Sequence, residues 1–154
     1  MIKNEQQKSV SQSKLQGLND RLSRLKQKYS DEDELEYYSA TTRRQRDQLV
    51  RELAYYQLAR DGEVDALIRL WNVHGRIRPD SKDDLTLGDL VSLLRVARGM
   101  TQAQLATALG IEQAHVARYE RDDYSGYTVE TIDRIFAALG VKFTLGKLDL
   151  SKAA

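Results

Sequence analysis

TQAQLATALGIEQAHVARYER, residues 101–121, decides the fold. Thr101 and Gln104 form a T-x-x-Q capping box, so a helix is predicted to begin here. Leu105, Ala106 and Leu109 recur at helical spacing and make its buried stripe. Gly110 then supplies the left-handed residue with which a chain leaves one helix for the next. A second helix is predicted over about Gln113–Arg121, with Val116 and Tyr119 inward. Gln113, Ala114, Ala117 and Arg118 then occupy the opposite face, where a core helix would not expose them.

On either side the same reading yields more short helices. Upstream, a helix spans about Leu87–Arg98, with Leu90, Val91 and Leu94 inward and Gly99 as its stop. Downstream, a helix starts near Thr128, buries Ile132, Ile135, Phe136 and Leu139, and ends at Gly140. Val141, Phe143 and Leu145 then alternate, the signature of a short strand.

Towards the N-terminus, Leu15, Leu18, Leu22, Leu25 and Tyr29 are spaced as an a/d heptad seam. Ser30 opens SDED, a capping-box-like entry with acidic residues in the first turn of a second long helix. That helix ends at Asp61–Gly62, so residues 11–60 read as an antiparallel helical hairpin. Its second helix has apolar ends at Leu35, Tyr38, Leu49, Leu53 and Tyr56. The centre, TTRRQRDQ, is polar all round, which leaves part of the heptad seam for another surface to cover. Val64, Leu67, Ile68 and Trp71 share one helical face, although IRLWNV fits a strand as well. Residues 75–84, with Pro79 and Asp83–Asp84, read as a linker. The expected organisation is thus an all-α chain: a hairpin over 1–62, an amphipathic segment and linker over 63–84, a domain over 85–146 and a tail over 147–154.

Charge and composition narrow the function. The chain carries 24 basic and 23 acidic residues, a net charge of +1. Residues 1–62 hold 12 basic and 10 acidic groups, and residues 85–146 hold 6 and 7. An anionic partner must therefore be met by local placement of charge rather than by a global field. The absence of cysteine excludes disulfides and cysteine-based zinc sites and suits a reducing cytosol. No apolar run is long enough to span a bilayer, and MIKNEQQKSV has no hydrophobic signal region, so a cytoplasmic protein without a membrane partner is expected. His74 and His115 are far apart and H-E-x-x-H is missing, so no metal is expected. There is no phosphate-binding G-x-x-x-x-G-K-[ST], no G-x-S-x-G and no paired carboxylates in an apolar segment. Neither an enzyme nor a cofactor is expected.

Two short helices joined through a glycine turn make a helix-turn-helix unit, whose second helix offers its N-terminal residues to base edges in the major groove. Such residues must be slim enough to enter and polar enough to read. Gln113 can pair bidentately with adenine, Ala114 can meet a thymine methyl, and Arg118 can reach guanine or a phosphate. Gln102, at a helix start, is placed to hold a phosphate with the free backbone amides there.

LRVARGMTQAQLATALGIEQAHVARYER and TVETIDRIFAALGV together closely resemble the Xre (Cro/cI-type repressor) helix-turn-helix family. Its anchors are Arg95, Gly99, Thr101–Gln102, Leu105–Ala106, Leu109–Gly110, Val116, Glu120 and Ala138–Leu139–Gly140. The resemblance implies a five-helix, lambda-repressor-like domain that binds double-stranded DNA, usually as a homodimer on a palindrome. Carried over by position, the DNA contacts fall on Gln102, Gln113, Ala114, Ala117 and Arg118. His115 and Arg121, on the same helix, complete the candidate set. Arg95 and Glu120 occupy the family's structural ion-pair positions. The N-terminal region more loosely resembles the helical extensions of stand-alone Xre proteins and HigA-like antitoxins, which would add a cognate toxin as a partner.

The remaining features have simpler readings. DEDELE at 31–36 suits a helix start, and Arg43, Arg44 and Arg46 a solvated face, with accessory phosphate contact as the sharper alternative. Tyr37, Tyr38, Tyr55 and Tyr56 are expected in the hairpin core and rim. Arg76 and Arg78 could form a minor-groove arm. The leading expectation is a sequence-specific repressor. The alternative is an interaction adaptor that keeps the scaffold without binding DNA, as Asp122 and Asp123 would favour by repelling phosphate.

Overall fold

The computed structural model describes the backbone of residues 1–74, 85–144 and 147–150, and side chains for 1–73 and 85–142. Within them lie seven helices and one two-stranded sheet. The chain divides into two compact units, Met1–Tyr56 and Gln57–Ala154.

The first unit is a helical hairpin. Helix α1 spans Glu5–Lys28, and its N-cap Asn4 accepts a 2.9 Å bond from the Gln7 amide. The helix therefore starts earlier than position 11, because Asn4 satisfies an otherwise orphaned donor. Helix α2 spans Glu32–Arg60. Its cap is Asp31 rather than Ser30: the Asp31 carboxylate accepts from the Glu34 amide at 2.9 Å. The helices run antiparallel. The Met1 amino group lies 3.5 Å from Glu52, and the Tyr56 hydroxyl donates to Glu5 at 3.2 Å.

Leu18 and Leu22 are buried in this hairpin, with Leu15 and Leu25 half-buried. The polar centre of α2 is not solvated all round, since Ser39 and Thr42 are only 1% and 2% exposed. Their short side chains fill space between close helices. The heptad seam is thus largely covered inside the hairpin. Tyr38, read as apolar packing, is instead exposed, as is Tyr37, whereas Tyr56 is core.

In the second unit, IRLWNV is helical: α3 spans Val64–His74 and buries Val64, Leu67, Ile68 and Trp71. Four short helices follow, α4 (Leu87–Ala97), α5 (Gln102–Leu109), α6 (Gln113–Arg121) and α7 (Val129–Ala138). Residues 85–146 therefore contribute four described helices. The fifth of this unit is α3, which packs on α4 from a segment expected to lie outside the domain. Its strongly apolar face explains this, because it needs a hydrophobic partner. The predicted linker, with Arg76 and Arg78, lies outside the described residues.

Thr86, Thr101 and Thr128 cap α4, α5 and α7 through hydrogen bonds to the third backbone amide of each helix. The core gathers Leu90, Leu94, Leu105, Val116, Ile135 and Phe136, each no more than 1% exposed. Burying a side chain of this size stabilises the fold by roughly 1.5–3 kcal/mol. Two arginines tie helix ends together. Arg134 donates to the Leu109 carbonyl at 2.9 Å, and Arg98 to the Leu139 carbonyl at 2.9 Å. Both satisfy C-terminal carbonyls that have no partner within their own helix.

Strand β1, Val141–Thr144, pairs antiparallel with β2, Lys147–Leu150. The segment expected as a tail thus supplies a strand, and one edge of β1 is occupied within the chain.

Candidate nucleic-acid interface

The site is built on α5 and α6. Gly110 ends α5 with φ 67°, ψ 34°, the left-handed conformation its missing Cβ allows. Its amide bonds the Thr107 carbonyl and the Ile111 amide bonds that of Ala106, at 3.1 and 3.0 Å. This closes the helix with its carbonyls satisfied and turns the chain into α6. Glu112 occupies the N-cap of α6 and makes no side-chain cap bond. The first-turn amides of α6 therefore lack the side-chain acceptor that Thr101 gives α5.

Along α6, Val116 and Glu120 are buried, and Ala117 and Tyr119 are half-buried. Gln113, Ala114, Arg118 and Arg121 are exposed. Arg118 has no ion-pair or hydrogen-bond partner among the described residues, so its guanidinium is free for an anion or a base edge. Arg121 is partly neutralised: its Nε donates to Asp122 at 3.0 Å, and that bond and charge hold the guanidinium pKa above its ordinary value. His115 is exposed but lies about 160° around the helix from Gln113, where its ring stacks over Tyr119 at 6.5 Å. It flanks the stripe carried by Gln113, Ala114 and Arg118.

Beneath this surface is a buried ion pair. Arg95, on α4, donates from Nε to Glu120 Oε1 at 2.6 Å and from Nη2 to Oε2 at 3.1 Å. Arg95 Nη1 also reaches the Met100 carbonyl at 2.8 Å. Gln102, expected to face DNA, donates from Nε2 to Glu120 Oε2 at 2.9 Å and is half-buried. It orients the ion pair as well as starting α5. A bidentate pair of this kind locks α4 to α6 with fixed geometry, and so sets the angle at which α6 is presented.

The loop after α6 holds a feature that motif reading does not reveal. Asp123 and Tyr124 both have positive φ, 54° and 55°, an uncommon state for residues with a side chain. The Tyr124 amide bonds the Tyr119 carbonyl at 2.9 Å, so Asp123 stands where a glycine usually closes a helix. Thr86 holds it there by donating from Oγ1 to Asp123 Oδ1 at 2.8 Å. Asp123 is thus engaged within the fold and is not a free charge directed at phosphate. Gly88 makes the approach feasible, because a Cβ there would collide with Asp123 Oδ1 and lie 2.7 Å from the Asp123 Cα. The signal available in the sequence was a glycine in the first turn of an apolar helix.

Tyr124 is buried beside Glu120, and its hydroxyl has no hydrogen-bond partner among the described residues. Burial, reinforced by the Glu120 charge, pushes its pKa well above the usual tyrosine range. The folded value is raised, so stability is complete below the unfolded value of about 10 and falls as pH climbs beyond it. Tyr124→Phe should remove this group's share of the alkaline destabilisation and leave neutral-pH stability unchanged or higher, since an unsatisfied hydroxyl disappears. Chemical denaturation at neutral pH and near pH 10.5 checks both parts; an equal alkaline loss in the two proteins would exclude Tyr124 as its source.

Residues 91–145 match the family model for Helix-turn-helix. This segment is an Xre-like helix-turn-helix DNA-binding domain. The protein that carries it is a DNA-binding transcription regulator in the general sense. No curated protein and no solved structure matches the chain. No helix among the described residues is long and apolar enough to cross a membrane.

Proposed function

We propose that the protein is a sequence-specific transcriptional repressor that acts in the cytoplasm as a homodimer on palindromic operator DNA. The observation that carries this reading is the exposed Gln113, Ala114 and Arg118 stripe on a helix held from below by Arg95 and Glu120. Gln113 reads adenine, Ala114 meets a thymine methyl, and Arg118 takes guanine or a phosphate. Ala117 keeps the helix slim. Gln102 and the first amides of α5 hold a phosphate, Arg121 adds a weakened cation and His115 touches the flank.

Residues 85–146 hold 6 basic and 7 acidic groups, so a single domain has little long-range pull on DNA. Two linked reading heads make up for this through effective concentration. Heads about 34 Å apart meet half-sites one DNA turn apart. A repressor of this kind also serves as an autoregulating antitoxin when a cognate toxin is its partner, and a small toxin encoded beside it would select that form.

A gel shift with DNA from upstream of the chain's own coding sequence tests the reading. Gln113→Ala and Arg118→Ala should each cost about 1–3 kcal/mol of operator binding at matched salt, with helicity unchanged. Wild-type affinity in both variants would remove this stripe as the reading face. Light scattering should give twice the monomer mass; a monomer that binds an isolated half-site as tightly as the palindrome would rule out the dimer. If no upstream fragment shifts even at low salt, the domain is an adaptor scaffold instead.

A further inference from the structure

The tip of the helical hairpin carries an aromatic stack that its own unit leaves uncovered. Tyr29, at the C-cap of α1, and Tyr38, early in α2, stack with centroids 4.5 Å apart and planes 13° from parallel. Tyr37 meets Tyr38 edge-on at 5.2 Å. Even so, Tyr37 is 79% exposed and Tyr38 49%. The rings hold one another in a fixed arrangement, so a partner would not have to order them on binding.

The chemistry around the rings identifies the partner. Asp31, Glu32, Asp33, Glu34 and Glu36 immediately precede the two exposed tyrosines. Asp31 is used as the cap of α2, and Glu36 pairs with Arg43. Glu32, Asp33 and Glu34 are exposed. The faces of aromatic rings attract cations, and this end of the molecule already displays the contact: Lys28 Nζ lies 5.0 Å from the Tyr29 ring centroid. On α2, Asp33 precedes Tyr37 and Glu34 precedes Tyr38 by one helical turn, so each carboxylate neighbours a ring, and the pair matches a guanidinium twice, by charge and by stacking. A nucleic acid would be repelled here. A symmetric contact between two copies would set these carboxylates against themselves.

We propose that the hairpin tip is a docking surface for a basic segment of a partner protein, with arginine side chains seated on Tyr37 and Tyr38 and paired with Asp33 and Glu34. The surface belongs to the hairpin unit, so the proposal stands independently of DNA reading by α6.

The full-length protein is titrated with a fluorescein-labelled peptide of alternating arginine and leucine, followed by anisotropy, with a glutamate-for-arginine peptide as control. The arginine peptide should bind and the glutamate peptide should not. Tyr37→Ala, which keeps every charge and removes an exposed ring, should weaken binding about tenfold, and Tyr37→Phe should retain it. Asp33→Asn with Glu34→Gln should weaken it as well. Circular dichroism should show the same helicity in all variants. Equal binding by wild type and Tyr37→Ala would reduce the effect to diffuse charge attraction and overturn the proposal. So would the absence of binding by the arginine peptide at millimolar concentration. If Tyr37→Ala changed self-association in sedimentation and left peptide binding intact, the tip would be a contact between copies and the proposal would fail.

Discussion

Arg95→Ala should lower the free energy of unfolding by about 3–5 kcal/mol, the usual cost of stranding one member of a buried ion pair. Both side chains are almost fully shielded, at 9% and 4% exposure. Removing Arg95 takes the bidentate cation from the Glu120 carboxylate, which the Gln102 amide cannot replace with a charge. The Met100 carbonyl loses its donor as well. Melting should therefore fall first, and DNA binding should follow only as the folded fraction declines. Measured at a temperature where both proteins are folded, operator affinity should change far less than stability. Arg95→Met combined with Glu120→Leu should recover much of the loss, because apolar side chains of similar volume need no charge compensation. A variant that melts like wild type yet fails to bind DNA would make Arg95 a phosphate contact instead.

Gly88→Ala is expected to be the most damaging addition of a single methyl group in the second unit. Its Cβ would fall 2.7 and 2.8 Å from the Asp123 Cα and carbonyl carbon, which are backbone atoms and cannot swing aside. Overpacking of this kind costs roughly 1–3 kcal/mol, and a backbone clash places Gly88→Ala at the upper end. The displaced loop carries Tyr124 out of its buried position and loosens the C-terminal end of α6. DNA affinity should fall along with the melting temperature, in contrast to Arg118→Ala, which should reduce affinity alone. Asp123→Gly gives the opposing case: it relieves the positive φ and loses the bond from Thr86, so its net effect on stability should be small. If Gly88→Ala unfolds at the wild-type denaturant concentration, the close approach of α4 to the loop is not a constraint on this fold.

The helix-turn-helix was legible because its signals are local. A threonine cap bonds an amide three residues on, an apolar stripe recurs at 3.6-residue spacing, and a glycine completes the turn. Each depends on residues within one or two helical turns, so Thr101, Gln104, Leu105, Gly110 and Val116 could be placed without a neighbour in view. The stripe carried by Gln113, Ala114 and Arg118 was legible for the same reason, as the complement of the buried side. The Arg95 and Glu120 roles came from a family resemblance, since 25 residues separate the two positions and no periodicity connects them.

What the sequence could not show depends on contacts between distant residues. Gln102 has the composition of a DNA contact and also the reach to bond Glu120 18 positions away, and only packing shows that it does. Thr86 and Asp123 are 37 residues apart, and their bond turns an apparent phosphate-repelling charge into part of the loop's closure. The face of α3 predicted burial but not against which helix. The segment after Gly146 looked like a tail because a strand of four residues is defined by its partner rather than by its own composition. By itself the sequence determined which segments between Leu87 and Gly140 are helical and which side of α6 is free. Tertiary structure decided which polar groups on those segments remain available, because a hydrogen bond or ion pair forms only when the fold brings its two ends together.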